Sequence, residues 1–296
     1  MRVLDDLDSA REISTQVHRL LRDADAYGRF PTPVKDIVAA AKLVTADDYV
    51  LDESLIRKAP ASLRNLLRSG RDKIQGLVDR RARVIHISPN IDNDGKRRFV
   101  TLHETTHHIL PYQQDLLYAD DGETLSPGTK MLFEQEANQG AAELLFQRNR
   151  FTEDATDTEI SVAAIVMLAG RYGTSFHSAV RRYAETHPGV VAAIVLEPTP
   201  RSSDPPTWAR QECMTSSTWT ARFGRPQWPR MMSALTYPFL AALTVSALKD
   251  VRLRDVGGLN VDVRVEAFQT PYNSFVLLWM PQRRRLLPRR KVRIAP

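Results

Sequence analysis

The chain has 296 residues, with 41 Lys or Arg against 35 Asp or Glu, a formal net charge of +6, and a single cysteine, Cys213. That length accommodates two domains with a sizeable core, and one cysteine excludes a disulfide framework and fits a reducing cytoplasm. The opening MRVLDDLDSAREIS lacks an apolar run, so no secretory signal is expected, and the most apolar stretch, YPFLAALTVSAL (237–248), is too short to span a bilayer and reads as a buried helix.

Residues 5–25 place Ile13, Val17, Leu20 and Leu21 at helical spacing among charged side chains. Pro31 and Pro33 end that segment. PVKDIVAAAKLVT (33–45) predicts a second helix with Val34, Ile37, Val38 and Ala41 inward, and a third helix is expected over 52–69. RVIHIS (83–88) alternates like a strand, the kind of element that can add an extended peptide to its edge. RRFVTLHETTHHIL (97–110) sets Phe99, Leu102, Thr106 and Ile109 or Leu110 on one side of a helix. Thr105 and Thr106 are weak helix formers, so packing rather than propensity must hold that helix. A polar, Asp-rich loop over 111–130 leads to MLFEQEANQGAAELLF (131–146), again helical, with Leu132, Phe133, Ala137, Ala141, Leu144 and Leu145 as its apolar residues.

EISVAAIVMLAGRYGTSFHSAVRRYAE (159–185) predicts two helices joined at Gly173-Thr174-Ser175, with Ser175 as N-cap of the second. The arrangement is helix-turn-helix-like. Arg181 and Arg182 can meet phosphates, although a lone unit with few basic residues on its second helix is more often a packing module. Composition then changes: a strand within 187–200, a Pro/Ser-rich linker at 198–207, and strands over 261–268 and 274–281. Residues 188–296 read as an α+β accessory domain without a ligand motif. Arg283, Arg284, Arg285, Arg289, Arg290, Lys291 and Arg293 form a basic tail able to make weak DNA contact, with a solvated tail as the plainer reading.

Residues 103–108 read HETTHH and contain H-E-x-x-H. His103 and His107 lie about one helical turn apart, so both imidazoles project from one face and can grip one Zn²⁺. Glu104 lies beside such an ion rather than on it, where it can take a proton from an attacking water and hand it to a leaving amine. The alternative is a surface helix with two solvated histidines, which the apolar spacing of 97–110 opposes. A catalytic zinc needs a third protein ligand and one open position. Glu134 and Glu136 both qualify. Glu134 shares a stripe with Ala137, Asn138, Ala141 and Leu145, the close-packing side, whereas Glu136 shares one with Gln139, Gly140 and Glu143, which reads as solvated; phase therefore favours Glu134. Asn138 can hold the second ring nitrogen of a ligand histidine or be an ordinary polar residue. His108 points away from His107 and is expected to be half-exposed. Tyr112, Tyr118 and Tyr172 are oxyanion candidates among which nothing selects.

Residues 72–110 resemble the ImmA/IrrE family of zinc metallopeptidases, in which a "G…I.I" strand precedes a helix of the form RRF-T-x-x-H-E-x-x-H; here Gly76, Ile85 and Ile87, then Arg97, Arg98, Phe99 and Thr101, carry the pattern. The family's E-x-x-A-N-x-x-A-x-x-L-L helix is similar to Glu134, Ala137, Asn138, Ala141, Leu144 and Leu145. The chain departs from it at Gln139-Gly140 and Phe146-Gln147, positions of packing rather than of ligands. The resemblance spans roughly residues 10–185 and implies a zincin-like, mostly helical core with a small sheet. It maps one Zn²⁺ per chain onto His103, His107 and Glu134, and the general base onto Glu104. The expected organisation is a peptidase domain at 1–158, the helix-turn-helix-like segment at 159–187 and the accessory domain at 188–296. By resemblance the substrate is a helix-turn-helix repressor. A non-catalytic DNA-binding or protein-docking regulator with a structural zinc is the competing expectation.

Overall fold

The computed structural model describes residues 7–46, 75–80, 82–113, 127–198, 206–243 and 249–281. They form an α+β chain that divides into two compact units, one comprising Met1–Thr158 with Ala163–Ala179, the other Glu159–Val162 with Val180–Pro296. The expected third helix at 52–69 and the basic tail at 283–293 lie outside the described residues.

The first unit is built from α1 (Leu7–Asp23), α2 (Val34–Ala40), β1 (Val44–Thr45), β2 (Gly76–Asp79), β3 (Val84–Ile87), α3 (Asp94–Ile109), α4 (Pro127–Leu145) and α5 (Arg150–Thr156). One apolar cluster joins Ile13, Val17 and Leu21 of α1, Ile37 of α2, Ile85 of β3, Leu102 of α3 and Ala141, Leu144 and Leu145 of α4. Each fully buried aliphatic side chain in it contributes roughly 1.5–3 kcal/mol from leaving water. The second predicted helix is shorter than expected: it stops at Ala40, Lys42 takes a left-handed φ of 59°, and Val44–Thr45 becomes a strand parallel to β3. A β-branched pair beyond a left-handed residue is better placed in a sheet than in a helix.

The small sheet has the order β1-β3-β2, with β2 antiparallel to β3. Strand 83–88 is therefore the central strand, hydrogen-bonded on both sides, and cannot take a further strand. The two edges of this sheet that face no strand among the described residues belong to β1, only two residues long, and to β2.

Helix α3 starts at the cap Asn93, whose side chain accepts from Lys96 N–H at 2.8 Å. From Val100 to Thr106 it is buried except at His103. Its threonines are satisfied internally: Thr101, Thr105 and Thr106 donate to the carbonyls of Arg97, Thr101 and Leu102 at 2.9, 2.8 and 2.8 Å. Helix α4 crosses it at Gly140, where an added Cβ would stand 2.4 Å from Thr106 Cγ2. Gly140→Ala is therefore expected to lose about 1–2 kcal/mol of stability in urea unfolding, because overpacking of about 1–3 kcal/mol exceeds the gain of about 1 kcal/mol in helix propensity. An unchanged or raised midpoint would show that the two helices yield there.

The helices α6 (Val162–Tyr172) and α7 (Phe176–Thr186) are joined at residues 173–175, as the sequence predicts. Gly173 takes φ 66° at the end of α6, and Thr174 N–H returns to Ala169 O at 3.0 Å. This turn lies on the first turn of α3, where a Cβ on Gly95 would meet the Ser175 backbone nitrogen at 2.3 Å.

The second unit holds a six-stranded antiparallel sheet, β6-β5-β4-β9-β8-β7, from β4 (Val191–Leu196), β5 (Thr207–Thr215), β6 (Met231–Ser233), β7 (Lys249–Arg254), β8 (Asn260–Gln269) and β9 (Ser274–Trp279). Strands β4 and β9 are buried on both faces, which explains their unbroken apolar sequence. Trp208, Trp219, Phe239, Leu240, Val263 and Val276 pack in its core, and helix α8 (Ser217–Phe223) is capped by Ser216, which accepts from Trp219 N–H at 3.0 Å. The predicted helix at 237–248 is a 3-10 helix over Pro238–Leu243, its remainder lying outside the described residues. Arg181 is engaged by Glu212 at 2.5 Å and Glu185 at 3.7 Å, which occupies the guanidinium that the sequence offers to phosphates. Among the described residues no helix is long and apolar enough to cross a membrane.

Candidate metal centre

Helix α3 presents His103 and His107 on one side, and their Nε2 atoms stand 3.1 Å apart. Helix α4 brings Glu134 to them: Oε2 lies 3.2 Å from His103 Nε2 and Oε1 3.5 Å from His107 Nε2. One ligand atom from each of these three residues falls within 4.8 Å of the others, the one such grouping among the described residues. Donors on a tetrahedral ion with bonds of about 2.0–2.1 Å stand about 3.3 Å apart, so the three side chains match the donor set and spacing of a zinc site. His108 is not one of the three.

Burial around the triad differs from the sequence expectation. Glu134 is the exposed carboxylate, at 62% of its side chain, and Glu136 is the buried one, at 1%. The reason lies in α4, which packs against α3 on one side and α1 on the other, so its buried face widens to include Glu136 and Gly140. Glu134 and Asn138 sit at the rim, where an ion held by the triad remains open to water. The predicted partner role of Asn138 is realised, with Oδ1 3.0 Å from His103 Nδ1.

The corresponding partner of His107 is Gln113, whose Oε1 lies 2.8 Å from His107 Nδ1. Gln113 falls in the segment read as a polar loop, and no spacing signal marks it. Arg80, just past β2, donates to the carbonyl oxygens of His107 and Gln113 at 3.1 and 3.3 Å, placing a cation at the C-terminal end of α3.

Glu104 is buried and reaches β2 at Gly76, where an added Cβ would stand 2.8 Å from Glu104 Oε1 and 2.7 Å from Val100 Cγ1. The absent side chain at 76 is what lets the carboxylate lie against the strand. Burial pushes its pKa above the ordinary value, against the opposing charges of His103 and His107. Hydrogen bonds from His103 and His107 hold Glu134 well below the carboxylate range. Burial lowers the basicity of His107, but its bonds to Glu134 and Gln113 and the nearby carboxylates raise it overall.

Of the tyrosines, Tyr172 is fully buried and donates to Asp154 at 2.9 Å, beside Phe30 and Phe151, which makes it a core residue rather than an oxyanion donor. Tyr112 lies 3.5 Å from Ser9, with Glu136 close by. Tyr118 lies outside the described residues.

A family model described as "IrrE N-terminal-like domain", Peptidase_M78, matches residues 65–183. No curated protein matches the chain. Among solved structures, one titled "Mycobacterium tuberculosis transcriptional regulator" is similar at 12% identity and a TM-score of 0.49, covering 91% of this chain and 89% of its own. Residues 65–183, by their match to this model, carry an IrrE N-terminal-like domain, in line with the ImmA/IrrE resemblance of the sequence.

Proposed function

We propose that the protein is a zinc-dependent endopeptidase. The observation that carries this reading is the convergence of His103 Nε2, His107 Nε2 and Glu134 at 3.1, 3.2 and 3.5 Å beside the buried Glu104. A family of peptidases supports the same chemistry. His103, His107 and Glu134 hold the ion, which when bound polarises the scissile carbonyl and acidifies a water. Glu104 takes the proton of the attacking water and passes it to the leaving amine, a role suited to a carboxyl whose burial favours the protonated form. Asn138 and Gln113 keep the two imidazoles oriented. The chain's zincin-like character lies in this arrangement of one helix bearing H-E-x-x-H beside a small sheet. The outer edge of β2, which faces no strand among the described residues and carries the exposed Leu77, receives the substrate backbone as an added strand. Three protein ligands rather than four, counted among the described residues, favour catalysis over a structural zinc.

The substrate in this reading is a helix-turn-helix repressor in the cytoplasm, whose cleavage releases stress-response or mobile-element genes. The helix pair α6–α7 serves as a packing element, since Arg181 is already ion-paired, and the basic tail at 283–293 supplies any weak DNA contact. N-terminal proteomics of a host extract incubated with the protein tests this. New N-termini should arise within repressors, disappear with 1,10-phenanthroline and return on adding zinc. Cleavage that persists through complete chelation, or no cleavage with zinc bound, overturns the reading.

A further inference from the structure

Two residues beyond the exposed Glu134, a second glutamate sits buried to 1% exposure and accepts from Ser9 Oγ and Gln113 Nε2. We propose that Glu136 is a positioning residue that sets the tautomer of His107 through Gln113 and ties this ligand to helix α1. The inference rests on the metal-centre reading above.

A neutral imidazole ligates a metal through the nitrogen that carries no proton, and the partner of the other nitrogen decides which one that is. His107 Nδ1 faces the carboxamide of Gln113 at 2.8 Å. A carboxamide has an accepting and a donating end of nearly the same shape. With its NH₂ turned to His107, Nδ1 would have to accept, Nε2 would carry the proton, and its lone pair would be lost to a metal. Glu136 excludes that arrangement. Gln113 Nε2 donates to Glu136 Oε2 at 2.7 Å, and Ser9 Oγ donates to Glu136 Oε1. A flipped Gln113 would set its carbonyl against a carboxylate at a site where both Gln113 and Glu136 are buried, leaving acceptors without donors. The acceptor-only group at 136 therefore orders the chain Ser9, Glu136, Gln113, His107, each donor and acceptor in one sense. At His103 the matching Asn138 lies on the exposed side, where water can replace it. The device matters more at His107, whose partner is sealed from solvent.

The test is zinc affinity of the full chain, measured by competition with a chromophoric chelator, together with the visible spectrum of the Co²⁺ form. Glu136→Gln keeps size and hydrogen-bonding capacity but lets Gln113 adopt either orientation. Its zinc affinity is expected to fall about 10–100-fold, the range for loss of an outer partner of a ligand, with an altered Co²⁺ spectrum. The swap Gln113→Glu with Glu136→Gln restores one sense of donation: residue 113 then accepts from both His107 Nδ1–H and the residue 136 amide, while Ser9 donates to the amide oxygen. It is expected to recover wild-type affinity and spectrum. A residue needed only for packing would show no such rescue. Thermal unfolding of the metal-free proteins establishes that each variant folds, and if Glu136→Gln does not, the swap, which keeps one carboxylate in the network, carries the test. Wild-type affinity and spectrum in Glu136→Gln, or a swap that folds but binds no better than that single variant, overturns the inference while leaving the metal centre standing. A wild-type protein that binds no zinc overturns the metal centre and this inference together.

Discussion

Glu104→Gln is expected to bind zinc with wild-type affinity and to cleave its substrate about 10²–10⁴-fold more slowly, the range for loss of a general base. The substitution is nearly isosteric, so it fits the space that Gly76 leaves open beside the carboxylate. It removes the one feature the proposed mechanism requires, a group that takes up a proton and returns it. Glu104 is not one of the three converging ligands, so metal content should not change. Single-turnover cleavage of a substrate found by N-terminal proteomics, run beside a zinc titration, separates the two quantities. Retained zinc with an unchanged rate would remove Glu104 from the chemistry.

Glu134→Ala has the opposite signature. With one of three ligands gone, zinc affinity is expected to fall by more than about 100-fold, beyond the upper end for an outer-shell loss, and activity falls with it at limiting zinc. Glu134 is the exposed member of the triad, at 62% of its side chain, so its loss opens no cavity and the fold should persist. The relay inference ranks the variants: Glu134→Ala weaker than Glu136→Gln, and Glu136→Gln weaker than wild type. A competition titration giving Glu134→Ala the affinity of wild type would take Glu134 out of the ligand set.

Sequence reasoning chose Glu134, the carboxylate that the structure brings to the histidines, on a mistaken ground. It assigned Glu134 to the buried stripe of α4 and Glu136 to solvent, and burial is the reverse. Helical phase locates residues around an axis but does not say how many neighbours surround the helix. Contact with both α1 and α3 makes the buried face wide, and the carboxylate that can serve an ion open to water is the one at its rim. Likewise the alternation of 83–88 identified a strand but not its place in the sheet. Both of its edges are taken, by β1 and β2, and among the described residues the open edges pass to those two outer strands.

By itself the sequence determined the histidine pair and the glutamate beside it, because four residues make about one helical turn and that geometry is local. It likewise determined the apolar faces of α1 and α3, the helix pair joined at 173–175 and the buried strands of the second unit, whose patterns reside in contiguous residues. Tertiary structure alone decided which carboxylate meets the histidines and which strand is central in the small sheet. It also brought Ser9 and Gln113 to Glu136 across separations of 127 and 23 residues. Those outcomes depend on which helices touch and at what depth, and no period of the chain encodes a contact between residues that far apart.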